Sequence, residues 1–180
     1  VTWTTPVDLA PQYAGTSLLI HYGSPVISAA NTVLVPVKTA AQGGFRVEAR
    51  DGGSGALIWS AGSDYQLPTG SSWTPSYNLV LTGANRLYAP AAGGRLLYRD
   101  NVDAATGSVQ NAVFYGAAAY AAAPAVYDGA VRINTPLTAD AQGTVYFGFM
   151  VTGANPANLV SGIARVAADG SGSWVGATAA

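Results

Sequence analysis

The chain has 180 residues, 22 of them glycine and 10 proline, with only 9 % charged, a composition of turns and short strands rather than solvated helices. A formal charge of −1 and a pI near 5.6 exclude the clustered basic footprint of a nucleic-acid or polybasic membrane surface. Cysteine is absent, which removes disulfides, thiolate metal sites and cysteine nucleophiles.

The first residues, Val1-Thr2-Trp3, resemble the end of an outer strand belonging to a preceding unit, with 1–24 completing that unit and crossing to the next. From Pro25 a pattern begins that recurs three times: an apolar stretch, a small polar turn, a second apolar stretch, a Gly-containing turn and a third strand. Its first copy predicts strands at 25–29, 32–37, 44–50 and 56–60. The second predicts 77–81, 86–90, 95–99 and 108–114, and the third 136–139, 144–150, 162–167 and 173–176. Val33, Leu87 and Val145 occupy equivalent places at intervals of roughly 55 residues. The turns carry residues that accept positive φ: Ala30-Asn31, Ala84-Asn85 and Gln142-Gly143 in the first hairpins, and Gly43-Gly44 and Gly93-Gly94 in the second. The Ala-rich stretch Gly116–Val126 is read as a crossover loop with at most one helical turn, stopped by Pro124.

Four short antiparallel strands per unit describe the blade of a propeller. The expected fold is all-β: a partial β-propeller of about three four-stranded blades, at 25–60, 77–114 and 132–176, plus a stray outer strand at the N-terminus. The whole of 1–180 is one propeller portion, whose remaining blades come from the rest of the chain or from another subunit. Val1 stands where an initiator Met would, and no leader segment is visible, so the chain reads as a mature product or a cut piece. Mean hydropathy of +0.24 raises the question of a membrane span. The longest uncharged stretch, Ala104 to Tyr127, is broken by Gln110, Asn111, glycines and Pro124, so no span is expected.

Arg86-Leu87-Tyr88-Ala89, Gly94-Arg95-Leu96-Leu97, Asp103–Gly107 and Gly55-Ala56-Leu57-Ile58-Trp59 are the residues that resemble a known pattern. They are similar to the blade repeat of the PQQ-type quinoprotein propeller family, over most of 25–176. That resemblance implies tryptophans packed between blades, here Trp3, Trp59 and Trp174. It covers quinone-dependent dehydrogenases, scaffold lipoproteins of outer-membrane assembly and propellers with no known ligand, so fold does not supply function. The dehydrogenase branch implies a vicinal cysteine pair and a Glu, Asn and Asp around Ca²⁺ and PQQ. This chain has no cysteine, and its one glutamate, Glu48, lies in a predicted strand between Arg46 and Arg50, where a salt bridge accounts for it.

No catalytic residue and no metal ligand is assigned. His21, the one histidine, lacks the partners of a nucleophilic triad; a loop histidine is the plainer reading and a face-loop ligand contact the other. Trp73, Tyr77 and Asn134 complete the candidate ligand-binding set. Tyr13, Tyr65 and Tyr120 extend the aromatic content of the crossovers, where packing is the preferred role. Asp100-Asn101-Val102-Asp103 lacks the further ligands of a calcium loop and reads as turn chemistry. The leading expectation is a non-catalytic binding or scaffold module that is secreted, periplasmic or on the cell surface. It engages a protein or small ligand at a propeller face and needs no cofactor. The alternative is a fragment of a PQQ-dependent oxidoreductase using calcium, and the third a carbohydrate-binding or carbohydrate-active propeller.

Overall fold

The computed structural model describes residues 2–19, 23–41, 43–67 and 77–179. In chain order the strands are β1 (Gln12–Ala14), β2 (Ser17–Leu19), β3 (Val26–Ile27), β4 (Thr32–Lys38), β5 (Gly43–Asp51), β6 (Leu57–Gln66), β7 (Val80–Leu81), β8 (Leu87–Pro90), β9 (Leu96–Arg99) and β10 (Gln110–Ala112). Two short helices follow, α1 (Ala117–Ala122) and α2 (Pro124–Ala130). The strands then resume with β11 (Val131–Ile133), β12 (Thr138–Ala139), β13 (Val145–Val151), β14 (Gly162–Val166) and β15 (Gly172–Gly176).

The fold is all-β, three antiparallel meanders in succession, as a partial propeller requires. Sheet 1 is β3-β4-β5-β6 and sheet 2 is β7-β8-β9-β10, while sheet 3 runs β13-β14-β15 with both β11 and β12 on the free side of β13. That inner position was expected as one strand at 136–139. Instead β11 pairs with Phe149–Val151 and β12 with Val145–Tyr146, and the backbone kinks away between them. Sheet 1 shows a related split, because the Val7 and Leu9 backbones bond to Lys38 beyond the reach of β3.

Strand alternation decides which side chains lie between sheets. Leu34 pairs with Ala49 and Ala49 with Trp59, so these three share a face with Phe45 and Val47. That face packs on Leu87 and Ala89 of β8 in one buried cluster. Tyr88, between them, points to the opposite face and joins Leu96, Ala112 and Phe114 against Val145, Phe147, Phe149, Ala164 and Val166 of sheet 3. Sheet 2 is therefore buried on both faces, which explains why all four residues of β8 are buried and why the strands read as continuous apolar runs.

The crossover read as a loop forms the two helices. α1 ends at Ala122, ahead of Pro124 as expected, and Pro124 itself sits in the first turn of a second helix, α2, where its missing N–H has no partner to lose. Tyr127 and Ala130 of α2 are buried against sheet 3. The stray N-terminal strand is not formed: residues 2–6 lie outside any sheet, and the β1–β2 hairpin follows them. Among the described residues no helix is long and apolar enough to cross a membrane.

Candidate functional site

Each sheet presents one backbone carbonyl, just past its third strand, as a docking point for the preceding unit. The Gly52 N–H bonds to the carbonyl of Asn31 at 2.9 Å and the Val102 N–H to that of Asn85 at 3.4 Å, which makes Gly52 and Val102 equivalent. Asn31 and Asn85 both hold the left-handed conformation, with φ of 65° and 60°. The Gly52 carbonyl accepts the Trp3 indole N–H at 3.0 Å, and the Val102 carbonyl accepts that of Trp59 at 2.6 Å. In sheet 3 the corresponding carbonyl is Ala168, beside Gly143, and its donor is the Arg86 guanidinium at 2.7 Å.

The donor changes because the outer strand changes. Trp59 faces Ala49, and the same register position in sheet 2 pairs Gln110 with Tyr98. Gln110 is exposed and accepts the Tyr98 hydroxyl at 2.8 Å. Arg86 takes over the bond to sheet 3, held by Asp100 at 2.6 Å and stacked 4.7 Å from the Tyr98 ring centre. Trp59, by contrast, closes its margin: it is 7 % exposed, with the Arg99 guanidinium 4.4 Å from its ring centre.

At the outer margin between sheets 2 and 3 a cleft of about 720 Å³ remains open. Tyr98 and Phe114 contribute from sheet 2 and Trp174 from sheet 3, with Tyr115, Asp169 and Ser171 among the other lining residues. Gly172 pins its inner end, since a Cβ there would lie 2.3 Å from the Phe114 carbonyl oxygen. Trp174 is 37 % exposed and meets Phe149 edge-on at 6.0 Å. Tyr115 donates to the Gly93 carbonyl at 2.7 Å, and burial pushes its phenol above the usual range, so it is a neutral donor. Asp169 is the one carboxylate in the lining; the hydroxyl and amide of Ser171 bond to it and hold it below the usual carboxylate range.

These groups suit binding of a ring flanked by polar atoms. A single carboxylate cannot supply the acid pair of a glycosidase. Nor does the set fit a calcium-bound quinone, which needs several oxygen ligands where this cleft offers Asp169 already engaged by Ser171. Among the described residues no group of three or more His, Asp or Glu stands together as a metal site.

The sites picked from sequence are scattered. His21 and Trp73 lie outside the described residues. Tyr77 is fully buried, stacked on Phe45 at 4.6 Å in the core between sheets 1 and 2, and so cannot meet a ligand there. Asn134 is half-buried at the kink between β11 and β12, its N–H bonded to the Gly148 carbonyl, apart from the cleft. Trp3 and Trp59 lie against the carbonyls of the following sheet, whereas Trp174 points back towards sheet 2. Trp174 pairs with Ala164, whose face is that of Val145 and Phe147, so it is one residue out of step with Trp59. Sequence reasoning did not single out Tyr98, Phe114, Tyr115 or Asp169. The available signal was the replacement of the outer-strand tryptophan by Gln110 in the second repeat.

Two polar clusters outside the cleft are engaged in joining sheets. Arg95 binds Asp64 of β6, the Asn111 side chain at 2.6 Å and the Ala92 carbonyl at 3.1 Å, with Tyr120 stacked 4.7 Å away. Asp103 accepts from Ser28 at 2.5 Å and from Asn85 at 2.7 Å, tying the first hairpins of sheets 1 and 2 together. The Arg46–Glu48–Arg50 triplet forms the expected ion pairs at 2.5 and 2.6 Å.

No family model matches the chain, and no curated protein matches it. Among solved structures it is similar to the crystal structure of BamB from Moraxella catarrhalis, at 14 % identity and a TM-score of 0.38. The match covers 99 % of this chain and 53 % of that one, so the chain spans about half its length.

Proposed function

We propose that this chain is the binding portion of a non-catalytic propeller, exported or exposed at the cell envelope, that recognises its ligand in the cleft between sheets 2 and 3. The observation that carries the reading is the lining of that cleft: aromatic rings on facing sheets, hydroxyls at the rim and one carboxylate without an acidic neighbour. Such a lining supplies stacking surface and hydrogen bonds but no acid–base pair and no nucleophile with a base beside it. The extracytoplasmic placement rests on the resemblance of the repeat to the quinoprotein propellers.

A titration of the ¹⁵N-labelled chain with a panel of short peptides and neutral oligosaccharides tests this reading. Saturable binding by at least one member should shift the Trp174 indole N–H resonance. Binding that leaves Trp174 unmoved, or no binding by any member, contradicts it.

A further inference from the structure

We infer that the ligand of this cleft is an extended peptide segment carrying a tryptophan, the side chain that already occupies the other two sheet margins. The inference rests on the binding reading above and names the ligand within it. Two margins of the molecule already hold an indole: Trp59 between sheets 1 and 2, and Trp3 against sheet 1. Trp3 is the closer precedent, because residues 2–6 around it lie outside any sheet. Its ring lies so near Gly55 that a Cβ there would stand 2.6 Å from the indole Cγ. The repeat thus accepts a tryptophan delivered by backbone that belongs to no sheet.

At the third margin the exposed Gln110 holds the outer-strand position of Trp59, and the cleft is lined by residues that follow it, from Asn111 to Ala117. Tyr98 and Trp174 line it from facing sheets and can hold a third ring in offset or edge-on contact, while the Phe114 ring is buried in the core beneath. Ser171 and Asp169 at the rim can accept an indole N–H.

A second observation favours a peptide over a saccharide. The strands flanking the cleft, β10 and β15, are the terminal strands of their sheets. Among the described residues no strand pairs with their outer backbone N–H and C=O groups, which is the requirement for pairing with an added extended segment. A sugar would use the rings and leave those edges unmatched.

The test uses a capped peptide of sequence Val-Thr-Trp-Thr-Thr-Pro, that of the Trp3 segment, and its counterpart with alanine for tryptophan. Each is titrated into the ¹⁵N-labelled full chain with the Trp174 indole N–H as readout, which separates this cleft from the Trp3 site. The tryptophan peptide should saturate the shift, and the alanine peptide should bind at least about tenfold weaker, the scale of a lost aromatic anchor. Gln110 sits against Tyr98 at the edge of the lining, so Gln110→Trp should cover the Tyr98 side of the cleft and weaken binding while circular dichroism stays unchanged. Should that variant not fold, Trp174→Ala, read by calorimetry, should weaken the tryptophan peptide by a similar factor. Equal affinity of the two peptides, absence of binding by both, or a folded Gln110→Trp that binds as before overturns the inference. An oligosaccharide that shifts Trp174 when neither peptide does overturns it too, yet leaves the binding function standing.

Discussion

The indole N–H of Trp59 reaches across an inter-sheet boundary to the Val102 carbonyl at 2.6 Å, although the two residues lie 43 positions apart in the chain. The bond does two things for the stack. It satisfies a donor that burial would otherwise leave unpaired, and it fixes the rotation of sheet 2 against sheet 1. Trp3 and Gly52 repeat it one unit earlier, and Arg86 and Ala168 repeat its acceptor one unit later with a different donor.

Replacing Trp59 by alanine should cost about 3–5 kcal/mol in urea unfolding, the range for truncating a buried aromatic. Trp59→Phe retains most of the ring and loses the bond to Val102, so about 1–2 kcal/mol is expected. A loss below about 1 kcal/mol for the alanine variant would place Trp59 at the surface and contradict the packing.

Acid should weaken the protein through Glu48. Burial pushes its carboxyl up, but hydrogen bonds and charge from Arg50 and Arg46 outweigh burial and leave it below the ordinary value of 4.5. A carboxyl with a lowered folded pKa stabilises the protein fully above its unfolded value, and that stability is lost as pH falls through the folded one. The unfolding free energy should therefore decline below about pH 4.5, and Glu48→Gln should flatten that part of the profile. An unchanged slope in the variant would mean that Glu48 is not engaged by the two arginines.

Asp103 should couple the hairpins of sheets 1 and 2. Asp103→Ala is expected to cost about 1–3 kcal/mol, and a double-mutant cycle with Ser28→Ala should show a coupling of at least about 0.5 kcal/mol. Additive losses would show that the Ser28–Asp103 bond contributes nothing to joining the sheets.

Gly172→Ala probes the closed end of the cleft. Its Cβ would stand 2.3 Å from the Phe114 carbonyl oxygen and 2.4 Å from Phe114 Cα, both backbone atoms that cannot rotate away. The variant should lose about 1–3 kcal/mol, the usual cost of overpacking, and its Trp174 resonance should move. A melting temperature equal to the parent's would mean that β15 and Phe114 are not in contact.

The strands were legible because their signals are local. Asn31, Asn85 and Gly143 announce positive-φ turns, and runs such as Leu87–Pro90 declare strands buried on both faces. The cleft was not, because it depends on the facing of side chains across two sheets. Trp174 and Trp59 both end outer strands in the sequence, yet a shift of one residue in pairing turns them to opposite faces. Tyr77 failed as a ligand candidate for a similar reason: nothing local shows that Phe45, 32 positions earlier in the sequence, stacks on it. At Ala117–Ala130 Pro124 both ends α1 and begins α2; the stop was legible, and the start was not because a proline suits a first helical turn as well as it breaks an interior one.

Gln110 holds, between sheets 2 and 3, the outer-strand place that Trp59 fills between sheets 1 and 2. The most direct measurement is the unfolding free energy of Gln110→Trp, with collisional quenching of its indole. The account predicts a gain of about 1–3 kcal/mol and a quencher-protected ring, as burial of a large apolar side chain provides. No gain, together with a freely quenched indole at position 110, would contradict it.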